Sequence, residues 1–315
     1  MKSVDNAISL DERELSQFIL DILEEARSVI HPAKINLCLN DDLPPHSVTQ
    51  VLLEDNGDYS IYIKPDAVND DYTLSHELLH ICVNKHVPKF IKVIQYDIAG
   101  VIGLELQGYL EHNWILAEQK RRGLIVDERD FYAHIEETFG ADSGEFVKNV
   151  ERILILNNIL RNHPKVLEEH KEFFAKNNPE SLKLAQRIMS HYPEQELYTV
   201  YEARKITVRA IREWNSIFKE KGLASVNLSF LISVEPVFSA NQLKMTANVV
   251  LGLFPNAIVD MSGKSSRHVL VTLKDGQCCV IFAMEDEGLV HLKNYMERKT
   301  LREFLDTMNI SYLLR

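Results

Sequence analysis

Two histidines four positions apart constrain this chain more than any other feature. Residues 71–80 read DYTLSHELLH, so His76, Glu77 and His80 form an H-E-x-x-H pattern. In an α-helix, residues i and i+4 lie on one face, and both imidazoles would then point the same way. Two imidazoles at this spacing can bind one Zn²⁺ ion. Glu77 would lie about 100° further round the helix, where a carboxylate can act as general base for a metal-activated water.

The residues around this pattern predict a helix from about 72 to 84. Leu74 and Leu78 recur at helical spacing and give the helix an apolar face opposite the polar residues of the motif. Asp70 and Asp71 provide an N-cap and negative charge at the positive end of the helix dipole. The same pattern also arises by chance in chains rich in histidine and glutamate, and the chain would then be a helical interaction protein without a metal. The amphipathic context favours the metal site.

A catalytic zinc site needs a third protein ligand and an open fourth position. Glu111 and His112 follow His80 by 31 and 32 positions, within the segment GYLEHNWILAEQKRRG. Their apolar neighbours predict that this segment is buried, and buried ionisable groups usually need a partner or a metal. Spacing does not decide between the two residues. One can bind the metal while the other supports a ligand from behind, and the alternative for both is an ordinary salt bridge.

The N-terminal third mixes helix and strand signals. Ser9 opens an S-x-x-E capping box, which predicts that a helix begins there. Residues 34–39 predict a short strand. The dipeptide Asn-Gly at 56–57 predicts a tight hairpin between strands 48–54 and 59–64.

A long helical pattern follows from about 90 to 122, with a break expected at Gly100 or Gly103. Gly123 comes directly after three basic residues and is a plausible C-cap. From about 128 to 221 the pattern is helical throughout.

The last third returns to strands. Asp-Gly at 275–276 predicts a second hairpin, and two helices are expected at about 287–298 and 301–308. The predicted fold class is therefore α+β. The predicted division is an N-terminal domain at 1–125, a helical region at 126–221 and a C-terminal α+β domain at 222–315.

The charge balance argues against nucleic acid as a partner. The chain has 46 acidic and 35 basic residues and a net charge of −11, whereas nucleic-acid binding needs a basic surface. No stretch approaches the roughly 20 apolar residues of a membrane-spanning helix, and the N-terminus lacks a secretory signal. Four cysteines without framework spacing are typical of reduced, intracellular proteins. We therefore expect a cytoplasmic protein without membrane association.

The run IYIKPDAVNDDYTLSHELLHI at 61–81 resembles the strand, loop and active-site helix of zincin-fold metallopeptidases of the broad ImmA/IrrE-like kind, which occur in bacteria and their mobile elements. The T-L-x-H-E-x-x-H pattern of that family starts here at Thr73. The resemblance covers residues 9–123 and implies an order of helix, small sheet, metal helix and long helix. The sequence departs from the family at Leu79, where a glycine is frequent, and lacks the usual downstream E-x-x-A-N-x-F-A pattern.

The resemblance implies a zinc-dependent metallopeptidase. His76 and His80 would bind Zn²⁺, Glu77 would be the catalytic general base, and the third ligand would come from Glu111 or His112. The resemblance implies a protein or peptide substrate, and the usual substrate in that family is a regulator. Zincins often align an extended substrate on an edge strand, for which 59–64 is one candidate and an ordinary hairpin strand the alternative. The competing hypothesis is a catalytically silent regulatory or binding protein on a zincin scaffold.

Overall fold

A computed structural model describes residues 8–43, 49–87, 89, 91–93, 97–124, 135–192, 199–259 and 266–315. It has a mixed helix and strand architecture, which confirms the predicted α+β class. The chain divides into two compact units, residues 1–88 with 111–128 and residues 89–110 with 129–315. The predicted three-part division stays a prediction, and its boundary at 125–126 lies outside the described residues.

The first unit is built on a four-stranded sheet. Its strands are β1 (Ile8–Ser9), β2 (Ile35–Leu39), β3 (Thr49–Leu53) and β4 (Tyr59–Ile63), in the order β1-β2-β4-β3. Strand β4 runs parallel to β2 and antiparallel to β3. Its β-branched residues Ile61 and Ile63 are fully buried, as expected of an interior strand.

Helices α1 (Gln17–Ile30) and α2 (Asp71–Cys82) share one apolar core with this sheet. The core includes Ile19, Ile22, Leu23 and Ala26 of α1, Ile61 and Ile63 of β4, Leu74, Leu78 and Ile81 of α2, and Ile115 further along the chain. Burial of this apolar face leaves the histidines of α2 on the opposite side of the helix.

The predicted hairpin at 56–57 is confirmed, but its loop is longer than two residues. Strand β3 ends at Leu53 and β4 begins at Tyr59, so five residues form the connection. Gly57 has φ +88°, a conformation that favours glycine. Of the two alternatives for 59–64, the edge strand is wrong and the ordinary hairpin strand is confirmed, because β4 lies between β2 and β3. Within the described residues, β3 pairs with β4 alone and forms that edge.

The capping box at Ser9 does not begin a helix, and this prediction is also wrong. Ser9 lies in β1 and pairs with Cys38. Helix α1 begins after Ser16, whose hydroxyl accepts a hydrogen bond from the Ile19 N–H at 3.3 Å and donates to Asp71 at 2.8 Å. Both serines suit an N-cap. The pairing of Ser9 in β1 and the hydrogen bond from Ser16 to Asp71 determine that Ser16 caps the helix.

The helix predicted from residue 90 begins later. Residues Ile91–Val93 form strand β5, which pairs with Ile232–Val234 (β6) of the same unit. Helix α3 (Ile98–Arg121) then runs through Gly100 without the expected break. Gly123 follows it with φ +84° and donates its N–H to the Lys120 carbonyl at 3.0 Å, which confirms the predicted helix end.

The second unit is helical first and mixed later. Its further helices are α4 (Ile135–Thr138), α5 (Phe146–Asn162), α6 (Pro164–Glu169), α7 (Lys171–Asn177), α8 (Pro179–Met189), α9 (Val200–Glu220), α10 (Leu228–Leu231), α11 (Ala240–Leu243), α12 (Ala247–Val250), α13 (Asp286–Arg298) and α14 (Leu301–Thr307). Its remaining strands are β7 (Val237–Phe238), β8 (Leu251–Val259), β9 (Ser266–Thr272), β10 (Cys278–Phe282) and β11 (Leu313–Leu314). The hairpin at 275–276, between β9 and β10, and the two terminal helices α13 and α14 are confirmed. Among the described residues, every helix is too short or too polar to traverse a bilayer.

Candidate metal centre

Helix α2 begins at a strong N-cap, which fixes the direction of its side chains. The Asp70 carboxylate accepts hydrogen bonds from the backbone N–H groups of Tyr72 and Thr73, each at 3.1 Å. It thereby satisfies two of the free N–H groups of the first turn. With the start of the helix fixed and Leu74 and Leu78 buried, the intervening His76 and the later His80 lie on the polar face.

Three imidazoles meet on this face. Ligand nitrogens of His76, His80 and His112 all lie within 4.8 Å of one another, so the three residues can hold a metal ion. The Nε2 atoms of His80 and His112 are 3.2 Å apart, and the ring centroids of all three pairs are 5.0–5.2 Å apart. Zinc bonds of 2.0–2.1 Å in a tetrahedron would separate two nitrogens by about 3.3–3.4 Å. The separation of His80 and His112 fits such an ion.

Glu111 lies behind the cluster. It is 7% exposed, and its Oε2 lies 3.5 Å from Nδ1 of His80, the ring nitrogen opposite the one that faces His112. Successive residues of a helix point about 100° apart, and Glu111 contacts the ring of His80 on the side away from His112. A carboxylate behind a ligating imidazole is the usual support in metal sites, because it orients the ring and raises its basicity.

Glu77 is outside the histidine cluster but adjacent to it along α2. Its Oε1 accepts a hydrogen bond from the Thr49 hydroxyl at 2.9 Å. Thr49 is buried at the start of β3, so the edge strand of the sheet reaches the residue predicted to be the general base. Sequence reasoning missed Thr49, since no local pattern links a strand residue to a helix 28 positions later.

Gln119 is a second residue that sequence reasoning missed. It is 1% exposed, and its Oε1 lies 3.4 Å from Nδ1 of His76. It follows His112 by seven positions, which is close to two turns of α3, so both side chains leave the helix on nearly the same face. That spacing is the signal that could have identified it.

Arginine contacts fix the last turn of α3. Arg122 Nε and Nη2 donate to Glu118 and to Glu25 of α1, each at 2.7 Å. The hydrogen bond from Arg121, and to a smaller extent that from Arg122, holds the pKa of Glu118 below its ordinary value. Glu118 is therefore an ion-pair partner of these arginines, and Arg122 links the end of α3 to α1.

Cys82 is the thiol closest in sequence to His80, and it lies in the apolar core. Burial raises its pKa to about 12. Metal ligation requires the thiolate, which this environment disfavours. The donor set for an ion is therefore three imidazoles, a set typical of zinc, copper, iron and nickel sites rather than of magnesium or calcium sites.

No protein-family model, curated protein or solved structure matches this chain. The site itself offers three imidazoles that can hold a metal and a carboxylate that follows the first of them on the same helix.

Proposed function

We propose that this chain is a zinc-dependent metallopeptidase that hydrolyses a protein substrate. The observation that carries the proposal is the convergence of His76 and His80 of α2 with His112 of α3. Three protein ligands leave a fourth position for water or substrate, the arrangement of catalytic rather than structural zinc. The resemblance of residues 61–81 to ImmA/IrrE-like metallopeptidases favours zinc and peptide hydrolysis among the chemistries open to such a site.

Each residue has a distinct task. The three histidines would hold Zn²⁺, which when bound polarises a carbonyl and activates water. Glu77 would take the proton of the attacking water and return it to the leaving amine. Thr49 would hold the Glu77 carboxylate through its 2.9 Å hydrogen bond. Glu111 would orient His80.

An extended segment of the substrate would add to the sheet at β3. In the described residues this strand has one neighbour, β4, and Thr49 at its start bonds to Glu77. Backbone groups of an edge strand can bind any extended peptide, and pockets for its side chains then set specificity. We propose a protein regulator as the substrate on the resemblance alone.

The position of Glu111 bears on the competing hypothesis of a catalytically silent scaffold. A closed site with four protein ligands would require Glu111 and His112 on the same ion. The Glu111 carboxylate instead faces Nδ1 of His80, away from the nitrogen of that ring that faces His112. This contact supports the proposal that Glu111 orients His80 and that the fourth position stays open.

Metal content tests the first half of the proposal. We expect about one zinc ion per chain in the wild type, measured by native mass spectrometry after dialysis against zinc. His76→Ala and His112→Ala should lose it, whereas Glu111→Ala should keep it with lower affinity. Wild-type protein without zinc would overturn the proposal, and loss of zinc in Glu111→Ala with retention in His112→Ala would reverse the ligand assignment.

Cleavage of a proteome-derived peptide library tests the second half. The wild type with zinc should generate new peptide termini, and removal of zinc by a chelator should abolish them. Glu77→Gln is the matched variant, since it keeps size and polarity but removes the base. It should bind zinc as the wild type does and cleave at least about a hundredfold more slowly. Equal cleavage by Glu77→Gln would refute the assigned mechanism, and no cleavage by the zinc-loaded wild type would favour the silent scaffold.

A further inference from the structure

We propose that Gln119 is a positioning residue that fixes the tautomer of His76 and so presents Nε2 of that ring to the metal. The inference rests on the proposed function, because a fixed tautomer of His76 matters only if the site binds a metal. The hydrogen bonds from which the tautomer is argued do not require the metal. Nothing in the H-E-x-x-H pattern specifies which nitrogen of the first histidine faces the ion, because either nitrogen of a neutral imidazole can carry the proton.

The orientation of the Gln119 amide follows from its partners. Its nitrogen Nε2 donates to the Tyr72 carbonyl at 2.9 Å and to the Ser75 hydroxyl at 3.0 Å. A carbonyl can only accept, so the amide atom that faces it must be the nitrogen. The Ser75 hydroxyl uses its own hydrogen on the same carbonyl at 2.8 Å, and its lone pairs are left to accept from Gln119.

The reverse orientation would be costly. It would place the amide oxygen of Gln119 against the Tyr72 carbonyl oxygen in a site where Gln119 is 1% exposed. Two acceptors would then face each other without a hydrogen, and no solvent would reach them. The network therefore has one self-consistent assignment within the described residues.

The amide oxygen of Gln119 then determines which ring nitrogen of His76 carries the proton. Oε1 of Gln119 faces Nδ1 of His76 at 3.4 Å, a long but acceptable hydrogen-bond distance. An amide oxygen can only accept, so Nδ1 carries the proton. A neutral imidazole has one ring N–H, and the lone pair of His76 is therefore on Nε2, the atom available to a metal.

The two histidines of α2 thus have different supports. His80 has the Glu111 carboxylate near its Nδ1, at 3.5 Å, whereas His76 has a neutral amide. A carboxylate both orients an imidazole and raises its basicity, while an amide mainly orients it. Gln119 reaches His76 from α3, two turns beyond His112, so one helix supplies both the third ligand and the support of the first.

Two variants separate this role from a structural one. Gln119→Met has a similar length and removes both the donor and the acceptor. Gln119→Glu also removes the donor to Tyr72 and Ser75 but keeps an acceptor for the Nδ1 proton. If Gln119 only tied α3 to α2 through its nitrogen, both variants would behave alike.

Zinc affinity, measured by competition with a chromophoric chelator, is the first readout. We expect Gln119→Met to bind Zn²⁺ about 10–100-fold more weakly than the wild type, the usual effect of losing such a support. Gln119→Glu should bind Zn²⁺ more tightly than Gln119→Met, because its carboxylate still accepts the Nδ1 proton of His76 although it loses the hydrogen bond to Tyr72. Equal weakening in both variants, or none in Gln119→Met, would overturn the inference.

The ring tautomer of His76, read from ¹⁵N–¹H correlations of the metal-free protein at about pH 8, is the second readout. We expect the Nδ1–H form in the wild type and a mixture of tautomers in Gln119→Met, with His76→Gln used to assign the signals. The Nε2–H form in the wild type would overturn the inference even if a variant failed to fold. Absence of zinc binding by the wild type would instead refute the proposed function and leave the tautomer result to stand alone.

Discussion

Partial burial of His163, at the junction of α5 and α6, should make the protein sensitive to acid. Burial lowers the pKa of this histidine from 6.5 to about 4. A difference of about 2.5 units corresponds to at most about 3.4 kcal/mol at 1.36 kcal/mol per unit. The side chain keeps some contact with solvent, which reduces the expected effect to about 1.5–3 kcal/mol.

The sign follows from proton binding. Between about pH 6.5 and pH 4, the unfolded chain protonates this histidine while the folded chain keeps it neutral. The unfolded state then binds more protons, so the free energy of unfolding falls as the pH falls through this window. The contribution of His163 is fully present above about pH 6.5 and is lost as the pH approaches 4.

Urea unfolding at several pH values between 4 and 7, followed by circular dichroism, measures this contribution. His163→Gln removes the titrating group. From about pH 7 to about pH 4 the free energy of unfolding should fall in both proteins, and the loss in the variant should be smaller by about 1.5–3 kcal/mol. His291→Gln, at an exposed position of α13, is the matched control and should follow the wild type. If His163→Gln shows the wild-type pH dependence, burial of His163 is not a source of acid sensitivity.

Three further predictions concern the first unit. Saturation with zinc at a hundredfold excess over Kd should raise the free energy of unfolding by about 2.7 kcal/mol, and His112→Ala should abolish this gain in a thermal shift or urea assay. Ile61→Ala, at a fully buried position in the interior strand β4, should cost about 2–5 kcal/mol in urea unfolding; a loss below 1 kcal/mol would mean that the core there collapses around the gap. Cys82, with its pKa raised to about 12, should resist iodoacetamide in the folded protein and react in urea, whereas the half-buried Cys38 should react faster, as peptide mapping can show.

Local sequence signals predicted the elements on which the candidate site stands. Helix α2 was predictable because its cap directly precedes the 12 consecutive residues that contain its apolar face and its two histidines. The two hairpins at 56–57 and 275–276 were predictable for the same reason, since a turn that needs positive φ is encoded by glycine at the turn itself.

Errors arose where distant residues decide the structure. Residues 91–93 carry an apolar pattern that suits a helix, yet they pair with 232–234, about 140 positions away, and no window of sequence contains that partner. Ser9 carries the capping-box pattern and Ser16 does not, so local sequence favours the wrong serine. The β1–β2 pairing claims the first, and a hydrogen bond to Asp71 stabilises the second.

The candidate site also combines features that local sequence encodes with features that distant residues determine. The sequence restricts the third ligand to Glu111 or His112, but the choice depends on the rotation of α3 about its axis, which packing sets. Thr49 and Gln119 are common polar residues without a motif of their own, and only the distances to Glu77 and His76 give them a role. The candidate ligands in the motif could be named from the sequence, whereas the groups that contact them could not.

The separation of the three candidate ligands along the chain also sets an order for biosynthesis. His112 is 32 residues beyond His80, and a ribosome that adds about 5–20 residues per second would deliver it about 2–6 seconds later. During that interval the nascent chain has two of the three imidazoles, and Gln119 follows later still. Loading of a metal would therefore wait until residue 112 of the 315 residues had been made, and a chain that ends before that residue would lack the complete site.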